Sequence, residues 1–515
     1  MKHIKTYKNK TARIAFLSVL TLFLSCNQLK KEKESLYSDE YLNFPNQLSP
    51  TTPYDVNFDL EKKLLAEKKI DEAQRLFDIL GWQMFISLNW PRNEKGEPRS
   101  NISDTGNTIW DSWKESFEVF KENGSAPTIW GGPLDVPSKL HITMNKKIKV
   151  LYRTNKFAVM PADSADEINQ AFTKPIWDQN GNMVRYEIRM NKRIVDYLTE
   201  NELYNLNGQV AFSKAGKKIS FPSGSIDKEG IMEVKLAWKI LDPEKDIAER
   251  YLNTEAYVFN KDNSYSLKKV GLVGMHIATK TKSSPQWIWA TFEHVDNLET
   301  NPLTTIHGKK LKPSFYDPEC PTCAVNKFYD TLQKPIKNQI QRVLPIPMAT
   351  QELNKSVQQL LASQNSALQY YQLIGVQWPT DPNSAPYPLH SKIYTLPEAV
   401  ANKSGGKPTP LWVTNMVMET YFQGGTSITT TDSFNIYLGN EPAYFQIEGG
   451  PHNDPKNTNK LIFGTESCVG CHSSSSIAVA IKKNKAGKDS VIFGGPRMAD
   501  FDWLLQLNAH LKSNN

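Results

Sequence analysis

The chain has 515 residues, with 61 Lys and Arg against 54 Asp and Glu, a formal net charge of +7 and a pI near 8.8. Its length allows roughly two to four domains, and 39 % hydrophobic with 22 % charged residues excludes a disordered or fibrous chain. Basic and acidic residues are interleaved, so the pI alone does not argue for a nucleic-acid partner.

At the N-terminus Lys2, Lys5, Lys8, Lys10 and Arg13 surround no acid and lead into the apolar run Ile14 to Leu24. As a helix this run rises only about 16 Å, too short for a hydrocarbon core of about 30 Å, so residues 1–25 read as a secretory signal. The ending Phe23-Leu24-Ser25-Cys26 resembles a bacterial lipobox, which implies cleavage before Cys26 and its acylation; a signal cut elsewhere would leave a thiol there. Acyl chains would hold the protein at a membrane face, each buried methylene contributing ~0.8 kcal/mol. Losing five basic residues and no acid lowers the charge from +7 to +2, which removes the only support for nucleic acid. Residues 26–60, Lys/Glu-rich and then punctuated by Pro45, Pro50 and Pro53, read as a lipidated tether.

Helical spacing over Glu61 to Trp90 puts Leu76, Ile79, Leu80, Gln83, Met84 and Leu88 on one stripe and stops at Pro91. A second helix is predicted at Ile109–Phe120 from Trp110, Trp113, Phe117 and Phe120. The period then changes to that of strands, at Met183–Arg189, Lys217–Phe221, Ile231–Ile240, Glu255–Asn260, Lys268–Lys280 and Gln286–Val295. The last two flank a short loop and read as a hairpin that brings His276 near residues 291–294. Alternation puts Trp287, Trp289, Thr291 and Glu293 on one face and Ile288, Ala290, Phe292 and His294 on the other. His276, Glu293 and His294, with Asp296, are therefore candidate catalytic residues. A histidine beside a carboxylate can be a general base, a distal ligand of a bound cofactor or a satisfied structural histidine.

Cys320-Pro-Thr-Cys323 sits in a Pro-rich loop, where an oxidising compartment favours a local disulfide; thiol exchange would want a helix start after a strand. Helices are predicted again at Phe328–Val343, Gln351–Tyr371 and Trp412–Gln423. The pattern is α+β: a helix-flanked antiparallel or mixed β-sheet body over 61–410, then a small α-helical haem c segment over 411–515.

That last segment carries Cys468-Val-Gly-Cys471-His472, the spacing at which c-type haem attaches. Two thiols one helical turn apart can add to the two vinyls of one haem, and His472 then lies next to the iron as proximal ligand. The alternative is an accidental CxxC disulfide followed by His; zinc would need a second pair at suitable spacing, and a four-thiolate site would leave His472 unexplained. Met498 is the candidate distal iron ligand, its alternative being a core methionine, with His452 and His510 as rivals. Asp500 is placed to cap a final helix holding Phe501, Leu504, Leu505 and Leu511. The order of haem motif, Met loop and terminal helix resembles class I cytochromes c. The shorter spacing here implies that part of the pocket comes from upstream, around Met416, Met418, Tyr421 and Phe422.

More widely, the chain resembles a group of exported bacterial haem c proteins. The matching pieces are Trp82-Gln83-Met84-Phe85, Leu88-Asn89-Trp90-Pro91, Glu233-to-Lys239, Gly271-to-Lys280, Pro285-to-Asn297, Met418-to-Tyr421 and the CVGCH motif. The resemblance implies one covalently bound haem c and names no reaction. Three readings follow. The first is a membrane-tethered monohaem cytochrome serving extracytoplasmic electron transfer, with a redox partner protein in the cell envelope, on the periplasmic or outer-membrane face. The second is a peroxidase- or oxygenase-like haem oxidoreductase whose site lies in the body. The third is a ligand-binding lipoprotein in which the haem is accessory.

Overall fold

The structure is a computed structural model, and it describes residues 37, 39–140, 142, 148–152, 175–260, 264–323, 325–326, 337–342, 345–381, 407–408, 413–420, 434–436, 445–447, 468–472 and 475–513. The chain divides into two units, Met1–Pro45 and Asn46–Asn515. The first holds a 3-10 turn, Glu40–Leu42, and everything below concerns the second.

Two helices open it, α1 (Phe58–Ala66) and α2 (Ile70–Leu88). The Asn57 side chain caps α1 by accepting from the Leu60 amide. Most of 61–90 is helix, as the spacing predicts, with one break: Lys68 turns left-handed (φ 58°), and the Lys68 and Lys69 amides fold back on the Leu65 and Leu64 carbonyls. That is a helix stop of the Schellman kind. Beyond Pro91 the aromatic stretch is a 3-10 turn (Ile109–Ser112), a two-residue strand β1 (Lys114–Glu115) and a single helical turn (Ser116–Val119). Trp113 is extended, which ends the helical course and lets Lys114 and Glu115 pair with Met190 and Arg189.

The fold is α+β. Seven more strands complete one mixed sheet: β2 (Lys149–Leu151), β3 (Arg185–Met190), β4 (Met232–Ile240), β5 (Asn253–Phe259), β6 (Tyr265–Thr279), β7 (Ile288–His294) and β8 (Tyr371–Gln377). β6 is the spine. β4 runs along one side of it, while β5 and β7 share the other side end to end. β8 extends the sheet from β7, and the parallel pair β2–β5 makes it mixed. Helices α3 (Lys192–Glu200) and α4 (Leu206–Lys214) follow β3. Residues 217–221, expected as a strand, are not one: the Phe221 amide goes to the Asp500 carboxylate at 2.8 Å instead of a ladder partner.

One sheet face is apolar, with Val234, Leu236, Met275, Ile277, Ala290 and Phe292 all buried. α2 and the helix α5 (Met348–Ser363) are tied to this side. At Gly81 the backbone of α2 comes so close that an added Cβ would stand 2.6 Å from Val376 Cγ2. Trp82 Nε1 donates to Asn354 Oδ1 at 2.9 Å, and Asn354 Nδ2 donates to the Leu373 carbonyl at 2.8 Å, tying both helices to β8.

The described part of the C-terminal segment contains the short helix Cys468–His472, a hairpin of Ala478–Lys483 with Asp489–Phe493, and one last turn, Leu504–Leu507. Asp500 does not cap a helix. It is left-handed (φ 47°), and its carboxylate accepts from Phe221 N and from Lys280 Nζ at 2.6 Å. Asp502, just before the N-cap residue Trp503, accepts from the Leu504 amide at 2.7 Å. Val469, Ile477, Phe501, Trp503, Leu504 and Leu505 share one core with Ile188, Met190, Leu198, Phe221 and Trp287. Among the described residues no helix is long and apolar enough to cross a membrane.

Candidate functional site

The second sheet face is polar and still covered. Register puts Lys235, His276 and Thr291 side by side, and Glu233, Ala278, Trp289 and Gln377 in the next row. Buried polar groups destabilise a fold unless they are paired, so their partners define the site. Residues 413–420 lie across this face: Asn415 Nδ2 donates to Thr291 Oγ1 at 2.9 Å and to the Phe292 carbonyl at 3.0 Å. Met416 N and Arg342 both donate to Glu293. A Cβ on Gly274 would stand 2.7 Å from Val417, so glycine there lets the segment reach the sheet.

Glu419, at the end of that segment, binds His276 Nε2 with both carboxylate oxygens, at 3.0 and 3.1 Å. Nearby, the carboxyls of Glu233 and Asp502 are both buried and close enough to act on each other. Burial first, and each other's charge second in the case of Glu233, lifts Glu233 well above its usual range; burial lifts Asp502 to about 6.

The CVGCH motif is docked on the same face. It is helical, which puts Cys468 and Cys471 on adjacent turns of one face. The Val469 amide donates to Gln377 Oε1 at 3.0 Å, and Val469 is fully buried. The His472 ring lies on Trp289, with centroids 4.1 Å apart. Its Nδ1 is 2.7 Å from the Phe501 carbonyl oxygen. A carbonyl can only accept, so Nδ1 carries the hydrogen and the lone pair is on Nε2. Burial, and then the charge of Lys235, hold the imidazole well below its ordinary pKa, so the ring is neutral. His276 and Glu419 also act on it electrostatically.

A strained turn supplies that carbonyl. Asp500 and Phe501 both have positive φ, 47° and 72°, a conformation costing about 1–3 kcal/mol per non-glycine residue unless the surroundings impose it. Here Lys280 and the Phe221 amide anchor Asp500, and Phe501 is buried in the core. Neither the Phe501 carbonyl nor the Gln377 anchor has a sequence signature, and Glu419 stands 143 positions from His276. Sequence pattern could not have supplied these three.

The expected site residues do not all converge. His276 and Glu293 share the polar face, but His294 points to the other one. There its Nε2 donates to the Arg250 carbonyl at 2.9 Å and its Nδ1 accepts from Asp296 N, while its ring stacks on Tyr251. Met498 is half-buried on the C-terminal hairpin, its sulfur 2.2 Å from where a Cβ on Gly494 would stand. The segment carrying it passes on the Nδ1 side of His472, through Phe501. Met416 and Met418 are buried in a separate core with Val184, Tyr186 and Val273. His510 pairs through its backbone carbonyl with the Leu206 amide. Cys320 and Cys323 form a disulfide in a loop, Cα atoms 5.4 Å apart. Cys26, Tyr421, Phe422, His452 and the Cys471 side chain lie outside the described residues.

Among the described residues no three His, Cys, Asp or Glu side chains converge to hold a bare metal ion. The donor set does suit covalent haem: a helical CxxCH and a neutral imidazole oriented by a backbone carbonyl. No family model matches the chain, and neither the curated proteins nor the solved structures contain a match.

Proposed function

We propose that the chain is an exported, lipid-anchored monohaem c protein that exchanges electrons with a redox protein of the cell envelope. One observation carries this reading: within a helical CVGCH, His472 has Nδ1 committed to the Phe501 carbonyl and its lone pair on Nε2. Cys468 and Cys471 would hold the haem through thioethers, and His472 would ligate the iron. Trp289 would form one wall, and buried Lys235 would supply a cation for a propionate. When bound, the haem supplies a one-electron redox centre. The chain's own contribution is to keep His472 neutral, fix its orientation through the strained turn at Asp500–Phe501, and exclude water with the core around Val469.

The basic, then apolar N-terminus ending in Cys26 supports export and lipidation. Haem staining of the denatured protein tests attachment. The wild-type chain should stain, Cys468→Ala with Cys471→Ala should not, and staining that survives the double substitution would overturn the assignment.

A second reading rests on the His276–Glu419 pair. A carboxylate-oriented histidine on the haem-facing side suits small-ligand chemistry such as peroxide reduction. A ferric spectrum that shifts with cyanide, and does so differently in His276→Asn, would favour this oxidoreductase; a spectrum indifferent to cyanide would retire it.

A further inference from the structure

From the buried His472 an unbroken series of aromatic rings runs outward. Trp289 is 4.1 Å from His472 between centroids, Trp287 stacks on Trp289 at 5.5 Å, Phe221 meets Trp287 edge-on at 5.9 Å, and Tyr197 lies 5.0 Å from Phe221. Tyr197 is half-buried on α3, its hydroxyl accepting from the Ser220 amide at 3.0 Å. The series thus joins the site to the surface.

Its central member is kept against local preference. Trp287 is fully buried, and among the described residues its indole N–H has no hydrogen-bond partner. It also adopts φ 69°, a left-handed conformation that costs a bulky residue about 1–3 kcal/mol. An apolar residue without an N–H would fill the core without that orphaned donor. Ordinary core packing does not ask for this residue in this conformation.

We infer that Tyr197, Phe221, Trp287 and Trp289 form the electron route between the redox group held at His472 and a partner protein that docks over Tyr197. The inference rests on the haem reading above. One electron crosses; a one-electron redox protein loses it or gains it, and the bound group changes by one electron in the opposite sense. No bond forms or breaks. The rings are not themselves oxidised: closely packed π-systems couple donor and acceptor better than saturated side chains do. Along α3 beside Tyr197 stand exposed Lys192, Arg193 and Glu200 and half-exposed Asp196, which pairs with Lys192. Exposed Lys217 and Lys218 precede Ser220, whose amide bonds to the Tyr197 hydroxyl, making four cations against two acids. The cationic excess fits a partner with an acidic docking face.

The test uses the haem-loaded full chain carrying a photosensitiser on Lys218→Cys, with a second preparation labelled at exposed Lys268→Cys on the distant half of β6. Flash-induced electron transfer from the label at 218 should slow several-fold in Trp287→Leu and recover in Trp287→Phe. Transfer from 268, the absorption spectrum and the midpoint potential should stay as in the parent. Tyr197→Leu, at the surface end, should slow transfer from 218 likewise, which guards against a folding defect in the core variant. Unchanged rates from 218, or equal slowing from both labels, would overturn the route while leaving the haem reading intact. A chain that carries no haem at all would overturn the haem reading itself, and the route with it.

Discussion

His294 and His472 are both buried and both neutral, but only one is spent on structure. His294 uses both ring nitrogens within the fold and stacks on Tyr251. Burial pushes its pKa down to about 4 from 6.5. The folded state therefore resists the proton that the unfolded chain accepts. Its contribution is complete above pH 6.5 and is lost as pH falls through 6.5 towards 4, by about 3 kcal/mol in all. Buried carboxyls with raised values, Asp78 and Asp178 near 6, oppose it over the same acid range. The measurement is thus a difference: the Tm of wild type minus that of His294→Gln, followed from pH 7 to pH 4, should shrink on acidification. A constant difference would show that His294 is not the group responsible. The period-2 pattern did separate His294 from Glu293, because strand alternation is local, and the hairpin reading brought His276 near residues 291–294, where the register pairs it with Thr291. It could not tell which carboxylate His276 would meet, since Glu419 arrives from a turn far along the chain.

At the scale of elements, α2 is legible because its apolar stripe faces a sheet and Pro91 stops it. The failures have physical causes. Residues 109–120 have helical spacing, yet pairing of Lys114 and Glu115 with β3 overrides it. Residues 217–221 have strand composition, yet Asp500 takes the Phe221 amide. α2 approaches β8 closely at Gly81, where an added Cβ would stand 2.6 Å from Val376 Cγ2. Gly81→Ala should force α2 off β8 and destabilise by about 1–3 kcal/mol despite the better helix propensity of alanine. Adding Val376→Ala should recover part of that loss in chemical denaturation. Stabilisation by Gly81→Ala alone would show that the helix tolerates the shift.

For the molecule as a whole, the C-terminal segment does more than carry a motif. Val469, Ile477, Phe501, Trp503, Leu504 and Leu505 complete the core that contains Phe221 and Trp287. Ending the chain at residue 467 should therefore abolish a single cooperative melting transition, and a truncated chain that melts like the full one would contradict this packing. The α+β class was legible from the change of period along the chain, whereas the sheet's two differently covered faces came from pairings between distant strands. We propose that this polar face, closed by the CVGCH helix, holds one covalent haem. Intact mass of the full chain, produced alongside a haem c attachment apparatus, tests it most directly. A polypeptide heavier by one haem is expected; the mass of the polypeptide alone, from cells that load a control cytochrome, would overturn the proposal.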